Sequence, residues 1–360
     1  MQNCNLDCKY CYVYNRGDDS WKTRPSLTNL KVTSQLAKRI ESYCKVNSLN
    51  KMEIEIHGGE PLLLGKKRFM EHILLLRKKC KDIDLIIYLQ TNGLLLDREW
   101  LEIFFLLKIT FSLSLDGPEE YADRNRVYKK GGGTTKDLLN IINKLRKNGD
   151  LFDKLCNGVL CVIHPKGSGS EYVKWFQKNN FKKFDFLIPD GNHINPGEDL
   201  KEISKFLKDA FDYWYELGSN APDIRLFKTA IETKAGFKTN LDSLGGDIGG
   251  MCVVESNGAI GCHDVLRICG GIFSQDDLNI FGNQLGDHQQ FYELEKIQSV
   301  SELCIKCQHY SSCGGGYLPH RFDGKSFRNV SYYCESLYDF YSNVENHLQR
   351  DVPSKLWKSI

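Results

Sequence analysis

Three cysteines in one short stretch, CNLDCKYCYVY, constrain this chain more than any other feature. Cys4, Cys8 and Cys11 follow the spacing C-x3-C-x2-C, so a single tight loop must present all three thiols together. Such a set is too crowded to close the tetrahedral shell of a structural zinc ion by itself. It suits a 4Fe-4S cluster, which has one iron more than there are thiolates here, and an open coordination position is what catalysis at a metal requires. The competing reading is a zinc knuckle completed by a distant Cys or His.

The compartment bears on that choice. No stretch approaches the roughly 20 apolar residues of a membrane helix, and the first residues are polar where a signal peptide would be apolar. The expected location is the cytoplasm, where thiols stay reduced, so 14 cysteines read as metal ligands rather than as disulfides. Lys plus Arg number 48 against 46 for Asp plus Glu, and a net charge of +2 supplies no field to gather nucleic acid or an acidic membrane.

Short apolar runs alternate with amphipathic stretches over the first two thirds, which predicts an α/β fold built of βα units on a parallel sheet. The expected strands are Met52 to His57, Leu85 to Gln90, Ile109 to Leu115, Gly158 to Ile163 and Phe184 to Ile188. Helices are expected over Leu27 to Val46, Lys66 to Cys80, Asp97 to Leu107, Thr135 to Lys147, Ser170 to Asn179 and Glu198 to about Leu217. From Gly245 the composition turns rich in Gly and Cys and shows no helix period through its cysteines, as cluster ligation would allow. The division expected is a core over 1–235, a cysteine-rich domain over 236–345 and a tail over 346–360.

The triad spacing, with the aromatic Tyr10 just before the third cysteine, resembles that of the radical S-adenosylmethionine (SAM) superfamily. The resemblance implies a partial (β/α)6 TIM-like barrel. It also implies that the open iron chelates the amino and carboxylate groups of SAM, and that one-electron reduction cleaves SAM to a 5'-deoxyadenosyl radical. Tyr10 would lie near the adenine. Gly58-Gly59-Glu60-Pro61, directly after an expected strand, is similar to the family's GGEP segment for the methionine amino group; standing alone it would read as a βα turn. Its glycines let backbone approach a ligand closely, and its carboxylate can accept from an ammonium.

Ser112 and Ser114 share one face of an expected strand that runs into Asp116-Gly117-Pro118, so hydroxyls meet a carboxylate at a strand end. By resemblance, Ser114 and Asp116 become cofactor or substrate contacts, while a plain alternating strand remains an equal reading for Ser112. Of Arg124 and Arg126 the preferred partner for the SAM carboxylate is Arg126, a solvated arginine being the ordinary alternative. Thr91-Asn92-Gly93 places Asn92 on the cofactor rim, or in a simple turn. The family carries a strand before the triad, and only three residues precede Cys4 here, so the natural start is expected further upstream.

Cys304, Cys307, Cys313 and Cys334 make one complete four-thiolate set, which would saturate a 4Fe-4S cluster and suit it to electron transfer; zinc is the rival. The arrangement resembles the SPASM domain of radical SAM peptide maturases, whose pattern has Cys252 and Cys262 as its upstream pair and a further cysteine where Tyr317 stands. A second auxiliary cluster on Cys252, Cys262 and Cys269, completed by an open position or by His263 or Asp264, is expected but not fixed by thiol number. Cys44, Cys80, Cys156 and Cys161 fall inside periodic segments and read as small buried hydrophobes.

CNLDCKYCYVYNRGDDSW and CGGGYLPHR look most similar to the cyclophane-forming maturases of ribosomally made peptides. That resemblance implies abstraction of a β-hydrogen, carbon–carbon bonding to an aromatic ring, a leader-bearing precursor peptide as substrate, and a reductase or a flavodoxin- or ferredoxin-type electron donor. Asp116 is the first candidate for the proton acceptor, ahead of Asp247 and Asp264. Thioether or formylglycine formation, and a zinc-binding interaction module, are the alternatives.

Overall fold

Side-chain period builds the central layer, and the computed structural model describes residues 2–273 and 276–351. In chain order come α1 (Leu30–Val46), β1 (Lys51–Ile56), α2 (Lys66–Lys79), β2 (Asp84–Thr91), α3 (Arg98–Leu106), β3 (Ile109–Ser114) and α4 (Thr135–Lys147). They are followed by β4 (Cys156–Val162), α5 (Gly169–Lys178), β5 (Lys183–Leu187), α6 (Leu200–Glu216), β6 (Asp223–Ile224) and α7 (Arg225–Lys234). The six strands lie side by side in sequence order. Parallel register pairs Met52 with Leu85, Ile87 with Ile109 and Lys183 with Asp223. This is the parallel α/β arrangement that the alternation of strands and crossover helices predicts.

Strand β3 shows the alternation most plainly. Ile109, Phe111 and Leu113 of β3 are fully buried, and Thr110, Ser112 and Ser114 face the other side half-buried. Leu138, Ile142 and Leu145 form the buried stripe of α4, whose 3.6-residue spacing faces the sheet. The expected strands are all present, with ends shifted by no more than two residues. Helix α1 starts at Leu30 rather than Leu27, because the Asn29 side chain accepts from Lys31 N at 2.9 Å and from Val32 N at 3.0 Å and so fixes the cap.

Two features differ from expectation. Strand β6 and helix α7 extend the alternation beyond the fifth expected strand. The cysteine-rich region also holds a hairpin, β7 (Val253–Val254) with β8 (Ile260–Gly261), and a long helix, α8 (Cys334–Asp351), that begins at its last cysteine. Residues 346–351 of the expected tail continue α8, while 352–360 lie outside the described residues.

Contacts divide the chain into two compact units that do not follow chain order. One gathers the residues up to Leu115 with Ala122–Val159 and Met251–Glu293; the other gathers Asp116–Tyr121, Leu160–Gly250 and the residues from Leu294 on. Among the described residues no helix is long and apolar enough to cross a membrane.

Candidate active site

The ends of β1 and β2 converge on the triad loop through one buried carboxylate. Gly58 takes φ +127°, which only glycine adopts easily. At Gly59 a Cβ would stand 2.0 Å from Asn3 O and 2.3 Å from Tyr14 Oη, so this glycine admits the backbone of the triad loop itself. Glu60 N then donates to Asn3 O at 2.8 Å. The Glu60 side chain is fully buried; Oε1 accepts from Thr91 Oγ1 at 2.7 Å and Leu62 N at 3.0 Å, and Oε2 accepts from Asn92 N at 2.8 Å. Burial pushes this carboxyl up, against the bonds from Asn92, Leu62 and Thr91 and the charge of Arg126. Sequence reasoning gave this carboxylate to a cofactor ammonium, whereas the structure has three protein donors on it.

Asn92 completes the link. Its Nδ2 donates to Asn5 Oδ1 at 2.8 Å and lies 4.0 Å from Cys4 Sγ. The triad loop is stitched on its other side to the segment around Arg126: Asp7 N donates to Val127 O at 2.9 Å and Lys9 N to Asn125 O at 3.0 Å. Arg126 is buried and donates from Nη1 to Tyr10 Oη at 2.7 Å, while Arg124 is exposed. On the open face of the sheet, Gln90 Nε2 donates to Ser114 Oγ at 2.7 Å.

Cys4, Cys8 and Cys11 are partly exposed thiols outside any disulfide, close enough to interact electrostatically. Burial pushes the Cys4 thiol up to about 11, and Glu60, Cys8 and Cys11 add to the shift. Three interacting thiols on one loop fit a group that brings its own positive charge, since iron would turn each into a thiolate. Among the described residues no three Cys, His, Asp or Glu side chains converge on one metal ion; the irons of a cluster take their thiolates further apart.

A second cluster of polar groups stands beside this loop. Tyr12 Oη donates to Asp264 Oδ2 in a short hydrogen bond and stacks on His57 with ring centroids 6.2 Å apart. His57 Nδ1 lies 3.5 Å from Asp264 Oδ2, and His263 Nδ1 lies 3.3 Å from Asp264 Oδ1. Burial alone would raise the Asp264 carboxyl; the bond from His263, the charges of His57 and His263, and Tyr12 outweigh it and hold the group well below the usual carboxylate range. Its side chain is 26% exposed, so these contacts favour the charged form of a carboxylate that is not sealed from solvent. Asp116 is placed differently: it is buried, and its Oδ1 accepts from Val162 N at 3.1 Å. Asp247 is exposed and caps Gly249 N at 2.8 Å.

The auxiliary cysteines separate into two cases. Cys313 interacts with Cys334, Cys304 and Cys307, and Cys334 with Cys304 and Cys307, so the four thiols lie near one another although the first and last stand 30 positions apart in the chain. Burial pushes Cys313 up to about 12, with those thiols adding to it. Cys252 and Cys262 flank the β7–β8 ladder one step beyond the Val253–Gly261 pair, which sets them opposite each other. Buried Cys269 closes the short helix Asp264–Cys269 that follows. Tyr317 stands where the pattern has a further cysteine, and the Asp264 carboxylate is engaged by Tyr12 and His263. Cys44, Cys80 and Cys161 are buried in the core, and Cys156 is half-buried.

Sequence reasoning had no view of one further group of residues. Glu255 binds Arg24 at 3.1 Å, Gln2 at 2.7 Å and Arg267 more closely still, and Arg267 also meets Asp18 at 3.1 Å. All are buried, and the network ties the triad loop to the segment that carries Asp264. Asp18 lies inside YVYNRGDDSW, so part of that string serves as scaffold.

A six-stranded parallel sheet with a cysteine triad at its strand ends is the arrangement of a radical SAM enzyme, and residues 1–168 match the Radical SAM superfamily. The chain is an enzyme with a radical SAM domain over those residues. Within the class it is homologous to sulfatase-maturating enzymes: it is 29% identical over 374 residues to the cysteine-type anaerobic sulfatase-maturating enzyme of Clostridium perfringens, across 96% of each chain. It is 24% identical to the serine-type enzyme of Bacteroides thetaiotaomicron, across 96% of this chain and 87% of that one. A solved structure described as native anSMEcpe with bound AdoMet and Cp18Cys peptide superposes with a TM-score of 0.80 at 26% identity, covering 97% of this chain and 96% of that one. These relatives are sulfatase-maturating enzymes by name, a different group from the cyclophane-forming maturases that the N-terminal string resembles.

Proposed function

We propose that this chain oxidises the β-carbon of a cysteine or serine in a bound peptide or protein to the aldehyde of formylglycine. The observation that carries this reading is the Asp264 carboxylate, oriented by His57, His263 and by Tyr12, the residue that follows Cys11. Cys4, Cys8 and Cys11 hold the catalytic cluster, and Cys304, Cys307, Cys313 and Cys334 hold an auxiliary one; Cys252, Cys262 and Cys269 are the ligands available to a second. Bound there, SAM and the clusters supply a carbon-centred radical that removes the β-hydrogen atom, and an acceptor for the electron the substrate radical gives up. Asp264 takes the proton of the substrate thiol or hydroxyl, leaving a thioaldehyde or an aldehyde. For cysteine, water then replaces sulfur and hydrogen sulfide leaves.

The remaining residues position. Glu60 locks the ends of β1 and β2 so that Asn92 meets the triad loop, and Arg126, braced on Tyr10, offers a guanidinium to the cofactor carboxylate. Ser114 lies on the open face of the sheet as a further contact. A reductase or a flavodoxin- or ferredoxin-type protein of the cytoplasm delivers the electron, and the substrate is a protein or a leader-bearing precursor peptide.

The cyclophane reading keeps one specific support, the string YVYNRGDDSW. Both share the first hydrogen abstraction, so the product decides. Anaerobically reconstituted protein is given SAM, dithionite and short peptides with an internal Cys or Ser, with and without neighbouring aromatic residues. Deoxyadenosine together with a peptide aldehyde captured by a hydrazide supports formylglycine formation. Loss of two hydrogens without an aldehyde, with fragments missing between two residues, moves the assignment to crosslinking. Bound zinc without cofactor cleavage overturns both and leaves a binding module.

A further inference from the structure

The four-cysteine set has a buried cation beside it that the reaction as described does not use. Arg321 closes the short helix Leu318–Arg321 and is only 3% exposed. Its Nη1 donates to Gln298 O and Ser299 O, and its Nη2 to Gln298 O, each at 3.3 Å. Carbonyls are neutral, so these bonds orient the guanidinium without cancelling its charge. Among the described residues no carboxylate forms an ion pair with it, and its buried Nε–H has no partner there.

Glycines bring the cation close to the thiols. Cys313 runs directly into Gly314, Gly315 and Gly316, at φ +58°, +89° and +72°. A Cβ on Gly315 would stand 3.5 Å from Arg321 Nη1, so the backbone leaving Cys313 is laid against the guanidinium. Burial lowers the affinity of Arg321 for its proton, and the acidic groups that oppose this are the thiols of Cys304 and Cys313 and the phenol of Tyr310. An unpaired buried cation is costly, and an orphaned buried donor calls for an acceptor. Four thiolates around a 4Fe-4S cluster carry net negative charge in either oxidation state and present sulfur acceptors, so the cluster answers both needs.

We propose that Arg321 is a buried counter-cation that raises the reduction potential of the cluster held by Cys304, Cys307, Cys313 and Cys334, and so fits that cluster to accept the electron released by the substrate radical. Reduction adds one negative charge to the cluster. A fixed positive charge in a low-dielectric setting stabilises the reduced form more than the oxidised one, and a donor to cluster sulfur acts in the same direction. Arg321 touches neither substrate nor SAM in this scheme; it acts through the cluster and is a positioning residue.

The inference rests on reading the four thiols as cluster ligands, and the experiment keeps the two apart. Full-length protein with Cys4, Cys8 and Cys11 changed to Ala is reconstituted, so that only auxiliary iron remains, and is titrated electrochemically with electron paramagnetic resonance as the readout. No iron-sulfur signal lost on further Cys304→Ala substitution would sink the ligand assignment itself. With that signal present, Arg321→Gln should shift its midpoint to a more negative potential at unchanged iron content, and Arg321→Lys should restore most of the shift. An unchanged midpoint in Arg321→Gln overturns the inference, and would mean that water in the adjoining cavity of about 50 Å³ takes the Nε–H and screens the charge. If Arg321→Gln fails to load iron, loading by Arg321→Lys with a near-native midpoint supports the charge role; failure of Arg321→Lys to load as well assigns Arg321 to packing and overturns it.

Discussion

Asp264 is oriented by Tyr12, His57 and His263, and a carboxylate so placed can pass a proton on to a histidine beside it. Asp264→Asn keeps the size of the side chain and an oxygen for the Tyr12 hydroxyl but cannot take the proton. The ratio of modified peptide to deoxyadenosine should fall by about 10²–10⁴-fold, the usual share of a positioned base. A fall in deoxyadenosine as large as the fall in product would instead place Asp264 in cofactor binding. Sequence reasoning ranked Asp116 above it, because a carboxylate at a strand end is a local signal. The bond from Tyr12 spans 252 positions of chain, and no period or short spacing reports a contact of that separation. The triad, the glycines and Glu60 were legible because each lies in one short segment whose spacing is itself the geometry. The occupancy of Glu60 was not, since its donors Thr91 and Asn92 arrive from the next strand.

At the scale of elements, period carried the reading where a segment was long enough to show one, and caps corrected the ends. Helix α4 was expected from Thr135 and begins there, but Thr134, the residue at its cap, makes no side-chain cap bond. The Asp123 carboxylate does so from a separate helix, its Oδ1 accepting from Thr135 Oγ1 at 2.7 Å, Thr134 N at 2.9 Å and Thr135 N at 3.0 Å. Asp123→Ala leaves these donors without that partner and should cost about 1–2 kcal/mol, read as a lower Tm of the anaerobic protein; Asp123→Asn, which keeps an acceptor, should recover part of it. Equal Tm values for Asp123→Ala and the parent would show that water replaces the cap. Strand β6 escaped notice because two residues show no alternation. Helix α8 was hidden because its first residue is a cysteine already read as a ligand, although Leu337, Phe340, Tyr341, Val344 and Leu348 form its buried stripe.

At the scale of the whole molecule, composition suggested a core over 1–235, a cysteine-rich domain over 236–345 and a tail over 346–360, while contacts group residues 251–293 with the N-terminal ones. Buried pairs such as Arg24 with Glu255 explain the grouping, since charges hidden from water must stay with their partners wherever the chain places them. Buried titratable groups also set how the fold answers to acid, and His320 is the clearest of them. It is 2% exposed between the rings of Tyr317 and Tyr333, and neither ring nitrogen has a hydrogen-bond partner among the described residues. Burial lowers its pKa to about 3, with Asp242 opposing only in part. An unfolded histidine takes its proton near pH 6.5, so between there and the folded value the unfolded chain binds more protons than the native one. The stability that depends on a neutral His320 is therefore whole above about pH 6.5 and declines on acidification by about 1.4 kcal/mol per pH unit, reaching about 2 kcal/mol lost between pH 7 and pH 5. Denaturant unfolding of the anaerobic protein at a series of pH values should show this slope, and His320→Leu, which has nothing to protonate, should flatten it by that amount. Parallel profiles for the two proteins would mean that His320 is protonated or solvated in the fold, and the acid sensitivity would then lie in other groups.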